Sequence, residues 1–285
     1  MLKKFRVQII NCNLIIAVIL IIILFFLITN LMLEKITRKL YGVKPGVTYQ
    51  GEKMEYFFRK EVYQRITEDA IEKRIWSKEA TIDSKTGKIN AERLGIILDV
   101  ESTANEIMAA EANTEVSPNI YKVRPYMTKE VLKEVTEVIG IYRTSIGGSS
   151  SRVKNIRLAT KSINNTLVLS EEIFSFNEVV GPRTKKRGYQ EAPVFFNGVV
   201  MPGVGGGICQ TSSTLYNAVQ EADLKVVERS PHSKPVRYVP KGQDAAVVWE
   251  ILDFKFYNQY SFPIIIKGSV YGRQVVIKIL GKRQE

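Results

Sequence analysis

Cys209 and His232 are the residues in this chain best suited to chemistry. His232 is the sole histidine and Cys209 is one of two cysteines. Cys209 follows the run Gly203-Val204-Gly205-Gly206-Gly207-Ile208, and a helix-like spacing of Ile208, Leu215, Ala218, Val219 and Ala222 comes after it. The cysteine is therefore expected at a helix N-terminus, just past a tight glycine turn. Unsatisfied backbone N–H groups and the helix dipole favour a thiolate there. The same N–H groups, near Gly207 and Cys209, suit a developing oxyanion, and glycines such as Gly206 and Gly207 leave room for a substrate carbonyl to approach. A thiol beside an imidazole is an activated-nucleophile pair. The plain alternative is a small, inert, buried cysteine.

His232 lies between Pro231 and Pro235, which predicts a loop. A catalytic imidazole needs a third group to fix its tautomer. Asp244, in Gln243-Asp244-Ala245, is the candidate. Asp244 also reads as a turn residue opening a strand over Ala245–Ile251.

Other chemistries fit less well. A phosphate loop needs Lys and a hydroxyl after its last glycine, but Gly207 is followed by Ile208 and Cys209. The dinucleotide fingerprint fails because Ile208 takes its third glycine position. One Cys and one His are too few for a zinc site. No metal or cofactor is expected.

The stretch Leu14–Leu33 carries no charge. About 20 apolar residues rising 1.5 Å each cross a hydrocarbon core of roughly 30 Å. Lys3, Lys4 and Arg6 precede it, so residues 1–13 are expected in the cytoplasm and residues 34–285 outside. A cleaved signal peptide is the rival reading, but the apolar run is long for one and no small-x-small site follows. On this topology Cys12 and Cys209 lie on opposite sides of the membrane and do not pair. An outside location excludes most roles in nucleic-acid binding and ATP use. The formal net charge of +12 falls to +9 without the three N-terminal cations. That surplus suits anionic wall polymers as partners, or simply a mildly basic surface.

An α+β chain is expected beyond the anchor. Residues 34–126 read as a small α+β module, with a helix in Lys53–Trp76, two short strands around an Asp83–Gly87 turn, and a helix over Ala104–Glu111 capped by Ser102 or Thr103. Residues 127–285 read as a second, mixed α+β domain with a mainly antiparallel sheet. Thr128 caps a helix expected to run through Ile139, and Val153–Ile163 is a further helix. Pro193–Met201 is a strand pair turned at Asn197-Gly198. Strands are expected at Thr166–Leu169, Lys225–Val227, Val236–Val239, Ala245–Ile251, Lys255–Tyr257, Pro263–Ser269 and Gln274–Leu280. The cation run Arg183 to Arg187 reads as a solvated loop tip, or as a contact for carboxylates or phosphates of a wall polymer.

The segment from Tyr142 to Ile266 resembles the VanW-like family. The residues that carry the resemblance are Asn155-Ile156 with Leu158-Ala159, Phe174-Ser175-Phe176-Asn177 with Gly181-Pro182-Arg183-Thr184, and Gly188-Tyr189. They continue with Gly205 to Ser213, Leu215-Tyr216-Asn217, Glu228-Arg229, His232-Ser233, Gly242 and Asp244-Ala245. Residues Ala80–Ala112 look like the peptidoglycan-binding module that often precedes this domain. The C-terminal extensions of longer members are expected to be missing here.

The resemblance implies a cell-wall setting linked to glycopeptide resistance, with peptidoglycan stem peptides as substrates. Some members are understood to act as L,D-transpeptidases. Carried over, Cys209 is the nucleophile and His232 its base, and the product is a crosslink between the third residues of two stems. Arg229 is then a candidate to hold the stem carboxylate, or else pairs with Glu228. Ser212 and Ser213 are candidates to position the stem, or else cap the helix, and Tyr216 reads as packing. Two alternatives stay open: a non-catalytic wall-binding protein, and a peptidase in which water resolves the thioester.

Overall fold

The computed structural model describes residues 2–196 and 199–282. The chain divides into two compact units: 1–78 with 94–124, and 79–93 with 125–285. The expected Asn197-Gly198 turn lies outside the described residues.

The first unit begins with a single helix, Leu2–Tyr41. From Leu14 onward its apolar side chains are exposed, and the helix is long and apolar enough to cross a membrane. Its last turn is held by Arg38, whose guanidinium grips both Glu61 oxygens at 2.7 and 2.8 Å. Glu61 in turn accepts the Phe58 N–H at 2.7 Å and so caps the helix Arg59–Glu72. That helix packs with Val100–Ala109 over a core of Val47, Tyr49, Met54, Val62, Ile66 and Ile107. Asp99, three residues before Ser102 and four before Thr103, which were expected to do so, caps Val100–Ala109 through the Ser102 N–H. Small sheets complete the unit: Gly95–Leu98 pairs antiparallel with Ile120–Val123, and Thr48–Tyr49 lies between Glu52–Lys53 and Glu115–Val116.

In the second unit a four-stranded antiparallel sheet runs in the order Glu137–Ser145, Gln274–Gly281, Ile264–Tyr271, Thr166–Val168. The helices Ser150–Ile163 and Ile208–Glu221 pack against it and against each other. Their inward residues Ile156, Ile163, Leu215 and Val219 are fully buried with Phe176, Phe254 and Phe256. Each such side chain contributes about 1.5–3 kcal/mol on leaving water. A three-stranded antiparallel sheet, Ile173–Ser175, Lys255–Tyr257, Lys225–Glu228, closes the other side, with the Phe174 and Phe256 rings stacked at 4.9 Å. The architecture is mixed α+β with mainly antiparallel sheets.

Several elements differ from the sequence reading. The hairpin Thr81–Ile82 with Ile89–Asn90 belongs to the second unit, where Ala80 packs with Met127 and Leu132. The helix capped by Thr128 stops at Lys133. The apolar marks that seemed to extend it belong to the strand Glu137–Ser145, which pairs along its length with Gln274–Gly281. Neither Val236–Val239 nor Ala245–Ile251 is a strand. Both lie in one long connection that makes only the isolated bridges Ser230 to Ala246 and Val248 to Leu252. Side chains of the helix Ile208–Glu221 bond its backbone at Gln243 and Ala245 instead.

Candidate functional site

The glycine turn sets the site. Gly205 and Gly207 have φ of +89° and +106°, and Gly207 is the N-cap of the helix Ile208–Glu221. L side chains rarely take such values. Gly206 sits so close to the neighbouring strand that a Cβ would lie 2.5 Å from the Ala192 carbonyl oxygen. The fully buried Asn155 locks the turn: it donates to Gly206 O and Gln190 O at 3.0 and 2.8 Å and accepts from Gln190 N at 2.7 Å. Cys209 therefore occupies the first turn of a 14-residue helix. Among the described residues no acceptor is found for the N–H groups of Gly207 and Cys209. This is what the first turn of a helix leaves open.

Cys209 is half-buried and unpaired, with its Sγ 3.5 Å from the Val247 carbonyl oxygen. His232 lines the same cleft and stands close enough for its ring and charge to act on the thiol. The His232 ring presents Nδ1 to Asp244 Oδ2 at 2.6 Å, and the His232 backbone N–H donates to that same oxygen at 2.6 Å. With Nδ1 so engaged, Nε2 is the ring nitrogen left for the thiol. Sequence analysis singled out Cys209, His232 and Asp244, and the structure brings all three together.

The electrostatics agree with this geometry. Burial by itself would push the Cys209 thiol up. The ring and charge of His232, with the positive charge of Arg183, more than offset it, and the net shift is downward. Burial by itself would lower the imidazole, but Cys209 and Asp244 raise it overall. The Asp244 carboxyl is raised by burial and lowered further by its bonds to His232, ending below its ordinary range. All three shifts favour a thiolate, an imidazolium and a carboxylate side by side.

The same helix holds the Asp244 segment in place. Ser213 Oγ accepts the Ala245 N–H at 2.9 Å and donates to Cys209 O at 2.7 Å. Ser212 Oγ donates to Ala245 O at 2.6 Å, and Asn217 donates to Gln243 O at 2.7 Å. Ser212 and Ser213 are fully buried and do not line the cleft, so neither touches a ligand there. Arg229 is likewise engaged elsewhere. It donates to Asp244 O at 2.6 Å and Gly242 O at 2.8 Å, reaches Asp244 Oδ1 at 3.3 Å, and lies over the Tyr216 ring. It pairs with the Asp244 segment, whereas Glu228 pairs with Lys255. Arg229 thus positions Asp244 rather than a carboxylate ligand.

Cys209 and His232 open onto a cleft of about 740 Å³. Gly205, Gly206 and Gly207 form one edge, and Val194, Val236, Val247 and Leu252 give it apolar walls. Arg152, Arg183, Tyr238 and Trp249 also line it; the sequence reading offered Arg183 only within a cation run facing solvent or wall-polymer anions, and placed the other three at no site. Arg183 was hidden in a run of cations whose other members behave as expected: Lys185 pairs with Glu191 and Arg187 folds back on Pro182 O. The signal for Arg183 is spatial, through Trp249 and Asn177. Among the described residues no group of acidic, His and Cys side chains is arranged to hold a metal ion.

A family model described as "VanW like protein" matches residues 151–280. The uncharacterized protein YoaR of Bacillus subtilis (strain 168) is 47% identical over 163 residues, which are 56% of this chain and 53% of YoaR. The vancomycin B-type resistance protein VanW of Enterococcus faecalis (strain ATCC 700802 / V583) is 31% identical over 139 residues, 47% of this chain and 50% of that protein. The chain spans about half the length of these curated relatives. No solved structure matches it. The matched segment holds the glycine turn, Cys209, His232, Asp244 and every residue that lines the cleft, so the part of this chain that carries the site is the part that matches the VanW-like family.

Proposed function

We propose that this protein is a membrane-tethered peptidoglycan-modifying enzyme, a cysteine L,D-transpeptidase. One observation carries the reading: Cys209 and His232 line one cleft, Asp244 holds the His232 ring through Nδ1, and the thiol sits at a helix N-terminus. Similarity to a protein named for vancomycin resistance supports a wall setting. The apolar helix with Lys3, Lys4 and Arg6 on its short side supports an N-inside anchor with the cleft outside.

In the proposed reaction the Cys209 thiolate attacks the carbonyl of the third residue of a tetrapeptide stem. The carbonyl electrons move onto oxygen, where the free N–H groups at Gly207 and Cys209 stabilise the oxyanion. The tetrahedral species collapses, the bond to the terminal D-alanine breaks, and the His232 imidazolium protonates the departing amine. A thioester remains on Cys209. The side-chain amine of a second stem then attacks the thioester while neutral His232 takes its proton. The thiolate leaves and a crosslink joins the third residues of two stems. Asp244 keeps the Nδ1 proton in place throughout, so one nitrogen, Nε2, does all the proton transfer.

Muropeptide analysis of cells expressing wild-type chain or Cys209→Ala tests this. The reading predicts crosslinks between third residues that vanish in the variant. Shortened stems without such crosslinks point to a peptidase. An unchanged profile points to a binding protein and contradicts catalysis.

A further inference from the structure

We infer that Arg183, assisted by Arg152, forms a carboxylate-recognition subsite in the Cys209 cleft, and that the cleft selects peptides ending in a free carboxylate. This rests on the proposed nucleophile reading for its biological meaning, but binding tests it separately.

The observations concern two cations with no acidic hydrogen-bond or ion-pair partner among the described residues. The Arg183 guanidinium lies 5.6 Å from the Trp249 ring centroid and 5.9 Å from that of Phe176. Its Nη2 donates to Asn177 Oδ1 at 2.6 Å. Its Nη1 is buried and has no hydrogen-bond partner among the described residues. A buried, unpartnered charged donor costs free energy unless a ligand satisfies it. Asp253, whose charge Arg183 feels, accepts from Ser175, the Asn177 N–H and the Phe254 N–H instead. Among the described residues Arg152 donates to neutral oxygens, Gly147 O at 2.9 Å and Gln210 Oε1 at 2.8 Å.

The glycine turn brings both stems to the nucleophile. A Cβ on Gly205 would lie 3.0 Å from Arg183 Cβ, and one on Gly207 would lie 2.8 Å from Arg152 Cγ. The two arginines thus pack against the two ends of the turn that leads into Cys209. Both feel the Cys209 charge. Among the described residues that line the cleft there is no Asp or Glu. The Cys209 thiolate and the Asp244 carboxylate, which is taken up by His232, leave the two guanidinium groups with a positive surplus. The planar guanidinium fork matches a carboxylate. Apolar walls of Val194, Val236, Val247 and Leu252 suit a peptide better than a hydrated polyol phosphate. Arg183, held by Asn177 and set over the Trp249 ring, is preorganised for the terminal carboxylate of a bound peptide.

The test uses the full chain in detergent. Calorimetric titration of Cys209→Ala with a D-alanine-terminated tetrapeptide, its C-terminal amide and inorganic phosphate reads binding without chemistry. The acid is expected to bind about 10- to 100-fold more tightly than the amide, and Arg183→Gln to remove that preference. Arg183→Lys, which keeps the charge and loses the fork, is expected to retain part of it. In the wild-type chain, alkylation of Cys209 by anionic iodoacetate and neutral iodoacetamide gives a second measurement, each rate followed on the Cys209 peptide by mass spectrometry. Their ratio is expected to exceed the same ratio on free cysteine by about tenfold, from local attraction of the anion.

Equal binding of acid and amide, or preferential binding of phosphate, overturns the subsite. A ratio no higher than that of free cysteine does so as well. A Cys209 slow toward both reagents contradicts the nucleophile reading alone, because the calorimetric preference does not depend on thiol reactivity.

Discussion

Asp244 holds His232 twice through one oxygen: Oδ2 lies 2.6 Å from both the backbone nitrogen and the ring Nδ1 of His232. The backbone contact fixes where the histidine sits on its loop, and the ring contact fixes which nitrogen faces Cys209. Asp244→Asn keeps the size but ends the charge and offers the ring an ambiguous partner. The variant is expected to fold, to lose about 100-fold or more in turnover, and to show a Cys209 alkylation profile shifted to higher pH. Wild-type-like turnover in Asp244→Asn removes it from the mechanism.

The directions of the pKa shifts predict the pH response. Cys209 is held below its ordinary value and His232 above its own. The thiolate–imidazolium pair is present between the two shifted values. Alkylation of Cys209 by iodoacetamide should therefore persist well below the ordinary thiol range near about 8.5. It should fall only when acid protonates the thiolate. Turnover should fall on the alkaline side too, as the imidazolium needed by the leaving amine loses its proton. In His232→Gln the acid limb of alkylation should move up toward the ordinary thiol value, and a limb that stays put means His232 does not set the thiolate.

Ser213 joins the nucleophile helix to the Asp244 segment, and it does so while fully buried. Ser213→Ala leaves the Ala245 N–H without its acceptor. A loss of about 1–3 kcal/mol in unfolding free energy is expected by denaturant titration. Turnover should drop more than binding does, because Asp244 shifts relative to Cys209 while the cleft walls remain. Equal losses in both would make Ser213 a purely structural residue.

Much of this site is legible in the residues themselves. A thiol after Gly205-Gly206-Gly207 and before an apolar helical spacing can hardly lie elsewhere than a helix start, and His232 between two prolines reads as a loop. Strands such as Lys255–Tyr257 and Gln274–Gly281 also fall where apolar runs and turns place them. Long-range pairing was harder to read. Leu132, Val135 and Ile139 mimic a helix face, but Ile139 belongs to a strand whose partner lies more than a hundred residues away. Val236–Val239 and Ala245–Ile251 have strand composition, yet Val236, Tyr238, Val247 and Val248 line the cleft, and Ser212, Ser213 and Asn217 bond the backbone at Gln243 and Ala245. Nothing in the run Arg183 to Arg187 marks Arg183 apart from its neighbours, because Trp249 and Asn177 reach it only through folding.

Gly207 offers a local test of the turn. Its φ of +106° disfavours any L side chain, and a Cβ would press on Arg152 and Ile156 at 2.8 and 3.2 Å. Gly207→Ala is expected to cost about 1–3 kcal/mol and lower the melting temperature. Gly242, with φ of +85° and nothing within 4 Å, carries the backbone strain without the crowding. Gly242→Ala should therefore cost less, and equal costs would mean the contacts at Gly207 contribute little.

The central claim is that Cys209 is acylated by a peptidoglycan stem. Intact-mass spectrometry of the full chain, incubated with a tetrapeptide stem and quenched in acid, tests it most directly. The account predicts a species heavier by the tripeptide acyl group, located on the Cys209 peptide, released by hydroxylamine and missing from Cys209→Ala. A chain that stays unmodified under conditions where Cys209 is intact and alkylates readily would contradict it.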